Sequence, residues 1–229
     1  MKIVVLAAGI GSRLGNPFPK PLTPLKSGKT IMERQIENIS GVFNFCDIAI
    51  VVGFKKDLIM EAFPDLLYIY NPLFDQTNTS KSLLRALKKF RGESVLWVNG
   101  DVVFDIEIME RLSTYVKEEK SFVAVNNSEV AEEEVKYSID NDGYIKDISK
   151  QVKPALGEAV GINFISAADS DLFISHLEKC NDNDYFEKGL ESAISEAGLK
   201  ILPVDISDMR CIEVDFEEDL NKANILFSE

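Results

Sequence analysis

The sequence predicts an α/β fold around a mixed sheet, mostly parallel at its core, with antiparallel strands in the second half. A continuous β-branched and leucine run, Lys2 to Leu6, opens the chain with the pattern of a strand buried on both faces. Strand-like and helix-like periods then alternate through the first half, as they do in βαβ units. Beyond residue 120 short strands follow one another, and Asp140, Asn141, Asp142 and Gly143 supply the turn chemistry of a hairpin.

After the first strand comes a Gly-rich loop, and Thr30 to Ile39 then places Ile31, Ile36 and Ile39 at helical intervals. Asp47 to Gly53 reads as a second buried strand, Lys56 to Phe63 as a short helix and Leu66 to Tyr70 as a strand. Ser80 to Phe90 is an amphipathic helix, and Ser94 to Val98 is a buried strand ending at Asn99, Gly100 and Asp101. A helix over Ile106 to Glu118 precedes strands at Phe122 to Asn126, Val135 to Ile139 and Tyr144 to Ser149. Gly161 to Ser166 is one more central strand. Helices over Asp169 to Lys179 and Tyr185 to Glu196, strands over Leu199 to Val204 and Cys211 to Val214, and a helix over Glu217 to Leu226 complete the pattern.

The 229 residues, 45% hydrophobic and 28% charged, have the composition of an ordinary globular chain. No Pro/Gly/Ser-rich linker divides them, so residues 1–229 are expected to form one domain. A formal charge of −13 argues against nucleic acid or an anionic lipid surface as partner, since both need a continuous basic face. No apolar run is long enough for membrane insertion. Cys46, Cys180 and Cys211 have no paired spacing, which points to the cytoplasm. A monomer and a homodimer both remain open.

Ligands of open α/β sheets bind beyond the carboxyl ends of the strands, so the segment Ala7 to Leu22 begins at a favoured place. Gly9 and Gly11 let backbone N–H groups approach an anion, and Arg13 and Lys20 bring positive charge: the loop reads as a polyphosphate cradle. It is no dinucleotide fingerprint, because Leu14 stands where the third glycine belongs and Pro17, Pro19 and Pro21 forbid an immediate helix. Gly28-Lys29-Thr30 imitates the end of a P-loop but lacks the glycine at Thr23 and the preceding strand.

LAAGIGSRLG at Leu6 to Gly15, followed by PKPL at Pro19 to Leu22, resembles the signature of nucleotidyltransferases that join an NTP to a phosphorylated sugar, alcohol or amino-alcohol. Pro21 and Leu22 lean toward the sugar-phosphate and phosphocholine branch. The resemblance implies a Rossmann-like sheet of the nucleotide-diphospho-sugar transferase type. It also implies catalytic roles for Arg13 and Lys20 on the triphosphate, and nucleotide contacts from Leu6, Ala7, Ala8, Gly9, Gly11, Ser12 and Gly100.

Asp101 follows a strand directly, and Asp215 holds a like position after Cys211 to Val214. Two carboxylates converging on a polyphosphate suit Mg²⁺, although either alone could simply cap the helix that follows. WVNGD and EVDFEEDLNKAN resemble the family's metal-binding segments, with Glu213 as a supporting residue behind the pair. A phosphomonoester is already largely a dianion near neutrality, its second pKa being about 6, so attack on the α-phosphorus needs no general base and catalysis reduces to positioning and charge stabilisation. The single histidine, His176, lies on an amphipathic helix and reads as structural.

Asn71 to Leu83 is a polar loop running into a helix on the nucleotide side, where Gln76, Asn78, Thr79 and Ser82 can address a base edge; Asn78, Thr79 or Ser80 could equally cap the helix. The segment resembles the base-binding loop of short cytidylyltransferases acting on phosphocholine or inositol 1-phosphate, which implies CTP as donor, with UTP, dTTP or GTP and a sugar 1-phosphate as the alternative. DISKQVKPALGEAVGINFIS resembles the acceptor region of these enzymes, with Lys150 or Lys153 for the acceptor phosphate and Glu158 for its head group; Tyr185 and Glu187 are further candidates at that end. A nucleotide-binding module without turnover is the reading from another class.

Overall fold

The computed structural model describes residues 1–128, 130 and 134–228, without the side chain of Ser12. In chain order its elements are β1 (Lys2–Ala7), α1 (Ile31–Ser40), β2 (Ile48–Val52), α2 (Lys56–Ala62), β3 (Leu67–Tyr70), α3 (Thr79–Lys89), β4 (Val95–Asn99), β5 (Val102–Phe104) and α4 (Ile106–Lys117). There follow β6 (Phe122–Asn126), β7 (Lys136–Ile139), β8 (Ile145–Ser149), β9 (Gly157–Ile165), α5 (Ala167–Lys179), α6 (Phe186–Ala197), β10 (Leu202–Asp205), β11 (Cys211–Glu213) and α7 (Glu217–Leu226).

The main sheet runs β10-β6-β9-β4-β1-β2-β3, with the β7–β8 hairpin attached through β9. β1 lies parallel to β2 and β4, whereas β9 is antiparallel to β4 and β6 and so reverses the sheet at its middle. Successive residues of β1 face opposite layers. Ile3 and Val5 join Ile36 and Ile39 of α1 and Leu112 of α4, while Val4 and Leu6 join Leu83 and Leu87 of α3, Phe173 of α5 and Leu190 of α6. This two-sided burial is why β1 reads as an unbroken apolar run.

The structure differs from the sequence reading at four strands. β5 is only three residues long and follows a turn at Gly100 and Asp101, too short to leave a period of its own. It pairs antiparallel with β11, so the strand at Cys211 belongs to a separate two-stranded ribbon and Asp215 does not end a strand of the main sheet. β9 begins at Gly157, four residues before the apolar run at Gly161, because its first half alternates in burial. β10 begins at Leu202, although Leu199 and Ile201 ahead of it are buried in the core.

A small third core of Leu25, Ile31, Val103, Val214, Ala223 and Phe227 joins the ribbon and α7 to the main body. Asp105, almost buried, reinforces it by accepting from Arg34 at 2.8 Å and from Arg210 at 2.6 Å. Both guanidinium groups lie over the Phe227 ring, at 4.4 and 5.5 Å from its centroid. His176 is buried against Ser192, its Nδ1 3.0 Å from the hydroxyl, as a structural role requires. No helix among the described residues is long and apolar enough to cross a membrane.

Candidate active site

Beyond the carboxyl ends of β1 and β4 lies a cavity of about 600 Å³. Leu6, Ala7, Gly9, Gly11, Arg13 and Lys20 of the first loop line it, together with Gly100 and Asp101 after β4. Gly11 has φ +64°, and a Cβ there would stand 2.9 Å from Cβ of Lys20, so glycine lets the loop close on the lysine. Lys20 sits in a short 3₁₀ turn started by Pro19, whose fixed φ suits such a start. Its side chain is only 10% exposed.

Acidic groups gather around this lysine. Nζ of Lys20 donates to Asp101 Oδ2 at 2.7 Å and to Asp215 Oδ1 at 2.5 Å, and Arg13 Nη1 donates to Asp215 Oδ2 at 2.6 Å. Positions 13, 20, 101 and 215 therefore meet at one point, although 202 residues separate Arg13 from Asp215. Burial alone would lower the Lys20 pKa, but the two carboxylates outweigh it and hold the ammonium charged.

Carboxylate oxygens of Asp101, Glu213 and Asp215 lie within 4.8 Å of one another. Burial and repulsion from Asp101, Glu134 and Asp215 push the Glu213 carboxyl well above its usual range, with Lys20 opposing. Oδ1 of Asp101 is buried without a hydrogen-bond partner among the described residues. Three oxygen donors of this kind fit a hard divalent cation, with Glu213 offering an oxygen beside those of the two aspartates.

The same cavity is lined by Lys150, Tyr185 and Glu187, with Glu134 close enough to repel both Glu213 and Glu187. Nζ of Lys150 lies 5.3 Å from the Tyr185 ring centroid. Glu187 Oε2 is buried without a partner among the described residues, and burial pushes its carboxyl up to about 7, with its own backbone hydrogen bond and Lys150 pulling it back. The Glu134 carboxyl is also raised, mainly by burial.

Of the two lysines expected at the acceptor, Lys150 lines this cavity and Lys153 is exposed outside it; Glu158 lines a second depression together with Glu134 and Glu213. In the base loop Asn78 and Thr79 reach the cavity, but Asn78 caps α3 through Thr79 N and Thr79 Oγ1 accepts from Phe186 N at 3.1 Å. Gln76 and Ala8 stand outside the lining, and Ser82 is buried, its hydroxyl 3.1 Å from Asn71 Nδ2. The side chain of Ser12 lies outside the described residues. Sequence reasoning missed Glu134, Asn99 and Phe216. Glu134 ends an acidic run with no local pattern, whereas Phe216, whose ring lies 5.5 Å from the Arg13 guanidinium, directly follows Asp215 and was within reach of the motif.

Residues 3–172 match the MobA-like NTP transferase domain. The whole chain aligns at 29% identity with CMP-5'-(3-aminopropyl)phosphonate synthase of Streptomyces rubellomurinus, covering 39% of that protein. About half the chain aligns at 39% identity with the bifunctional protein GlmU of Methanococcus maripaludis, covering 27% of it, so the chain spans well under half the length of these curated relatives. Among solved structures, CTP:phosphocholine cytidylyltransferase of Streptococcus pneumoniae superposes with a TM-score of 0.75 at 20% identity, over 98% of this chain and 97% of that one. The inositol-1-phosphate CTP transferase of T. maritima gives 0.79 at 16% identity, over 99% and 94%. A cavity that joins a glycine loop, two cations and three carboxylates, in a chain matched over most of its length, identifies a nucleotidyltransferase, and the chain belongs to the MobA-like NTP transferase family.

Proposed function

We propose that the chain is a Mg²⁺-dependent cytidylyltransferase that joins CTP to a small phosphorylated or phosphonate acceptor bearing an amine, releasing pyrophosphate. The observation that carries this reading is the polarity of the cavity. Arg13 and Lys20 meet Asp101 and Asp215, and the same cavity is lined by Lys150, Tyr185 and Glu187, whose Oε2 is buried without a partner among the described residues. An acceptor spanning it would place its phosphoryl group on Lys150 and its amine on Glu187, whose buried oxygen would gain the donor it lacks. A quaternary ammonium has no N–H to give and would leave the Glu187 oxygen without a donor. The similarity to the Streptomyces CMP-5'-(3-aminopropyl)phosphonate synthase supports the same class.

In this reading Arg13 and Lys20 hold the triphosphate, and the glycine loop offers backbone N–H groups to it. Asp101, Glu213 and Asp215 would hold Mg²⁺, which when bound offsets charge on phosphate oxygens. Lys150 orients the attacking oxygen, so two anions meet against their repulsion at a site with fixed positive charge. Screening CTP, UTP, dTTP and GTP against aminoalkylphosphonates, phosphocholine and sugar 1-phosphates, with pyrophosphate release as readout, tests the reading. Turnover with CTP and an aminoalkyl acceptor is expected. Turnover confined to sugar 1-phosphates with another NTP overturns the donor and the acceptor, and nucleotide binding without pyrophosphate overturns the enzyme.

A further inference from the structure

Lys20 and Arg13 have two claims on them. The proposed function gives both to the triphosphate, yet in this structure they are spent on the acidic set. Two of the three donors of the Lys20 ammonium go to Asp101 and Asp215, and Asp215 has both oxygens occupied, Oδ1 by Lys20 and Oδ2 by Arg13. A divalent cation needs carboxylate oxygens as ligands, and a fixed ammonium at 2.5 to 2.7 Å from them both blocks and repels it.

We propose that Lys20, with Arg13, is the resident counter-ion of Asp101 and Asp215 and yields that place to the divalent ion when a triphosphate draws the two cations away. Metal and nucleotide then bind cooperatively, and by reciprocity each tightens the other by the same factor. The inference rests on the triphosphate role given above to Arg13 and Lys20. The competing arrangement leaves Lys20 in place and seats the ion on the unpartnered Asp101 Oδ1 and on Glu213; it predicts no competition at all.

Mn²⁺ binding to the full chain, followed by electron paramagnetic resonance at a pH of about 8, separates the two. Without nucleotide, Lys20→Met is expected to bind Mn²⁺ about tenfold more tightly than the unaltered chain, and Arg13→Met severalfold, within the ordinary range of coupling between sites. Adding Asp101→Asn to Lys20→Met must abolish the gain. With α,β-methylene-CTP, after subtraction of the Mn²⁺ that the nucleotide binds in buffer, affinity rises in the unaltered chain and not further in Lys20→Met. Unchanged or weaker Mn²⁺ binding in the folded single variants overturns the proposal, as does a gain that survives Asp101→Asn or an equal nucleotide effect in both chains. Should Lys20→Met fail to fold, the half-exposed Arg13 carries the test through Arg13→Met. The nucleotide-free titrations need neither turnover nor an acceptor, so their failure is distinguishable from failure of the pyrophosphate screen.

Discussion

Gly100 lies flat against the end of the first strand: its N–H donates to the Leu6 carbonyl at 2.9 Å, and a Cβ on it would come within 2.7 Å of that same oxygen. On its other side the Cβ would meet Cγ of Pro21 at 2.9 Å, next to Lys20. Neither neighbour is a flexible side-chain end. Gly100→Ala is therefore expected to cost about 1–3 kcal/mol, the usual range for overpacking, measured by urea unfolding. It should also lower turnover in the folded fraction, because the displaced backbone carries Asp101.

Lys20→Ala should remain folded, since β1 and its two apolar layers do not depend on it. Turnover should fall by about a hundredfold or more, the cost of removing one preorganised charge from a transition state. Pyrophosphate release and circular dichroism on one preparation check both statements. A folded variant with near-normal kcat would remove Lys20 from the chemistry.

Glu187 predicts a pH effect whose sign follows from its raised pKa of about 7. A neutral carboxyl cannot balance an ammonium. The KM of an aminoalkyl acceptor should therefore rise as pH falls from about 8 to about 6, relative to an alkyl acceptor of equal length, and Glu187→Gln should erase the difference. The same shift acts on stability. The folded chain retains this proton where the unfolded chain has lost it, so the contribution is complete below the ordinary value of 4.5 and disappears as pH rises through about 7. Thermal unfolding of Glu187→Gln across that window should show a shallower decline with pH.

Asp105 holds two arginines that clasp the Phe227 ring, and through them the ribbon and α7 that carry Glu213 and Asp215. Asp105→Asn takes the shared carboxylate charge from Arg34 and from the half-exposed Arg210 and is expected to cost about 1–3 kcal/mol, read from denaturant unfolding. Partial loss of Mn²⁺ binding should accompany it in the protein that remains folded.

Much of this architecture is legible in the sequence because β1, β2 and β4 are buried on both faces and the helices between them alternate with a 3.6-residue period. The glycine loop is legible for a different reason: glycines, prolines and cations in one short segment serve few other purposes. What periodicity cannot express is pairing between distant short strands. Three residues at Val102–Phe104 and three at Cys211–Glu213 make the ribbon that brings Glu213 and Asp215 to Lys20, and neither strand is long enough to show a period. Lys150 and Lys153 lie three positions apart with the same chemistry, and only the placement of the loop after β8 selects the one that lines the cavity. Glu134, in a run of acidic residues, carries no local signal of its orientation.

The bond between Arg13 and Asp215 has a consequence for how the chain is held together in use. It closes a loop of 202 residues, from the segment after the opening strand to the turn before the closing helix. Substrate and ion gathered on these side chains would act as a buckle between the two distant segments, shielding the region around Phe216 and Phe227 from proteolytic attack by mass action. Resistance of that region to a protease would then serve as a direct gauge of occupancy, with no turnover required.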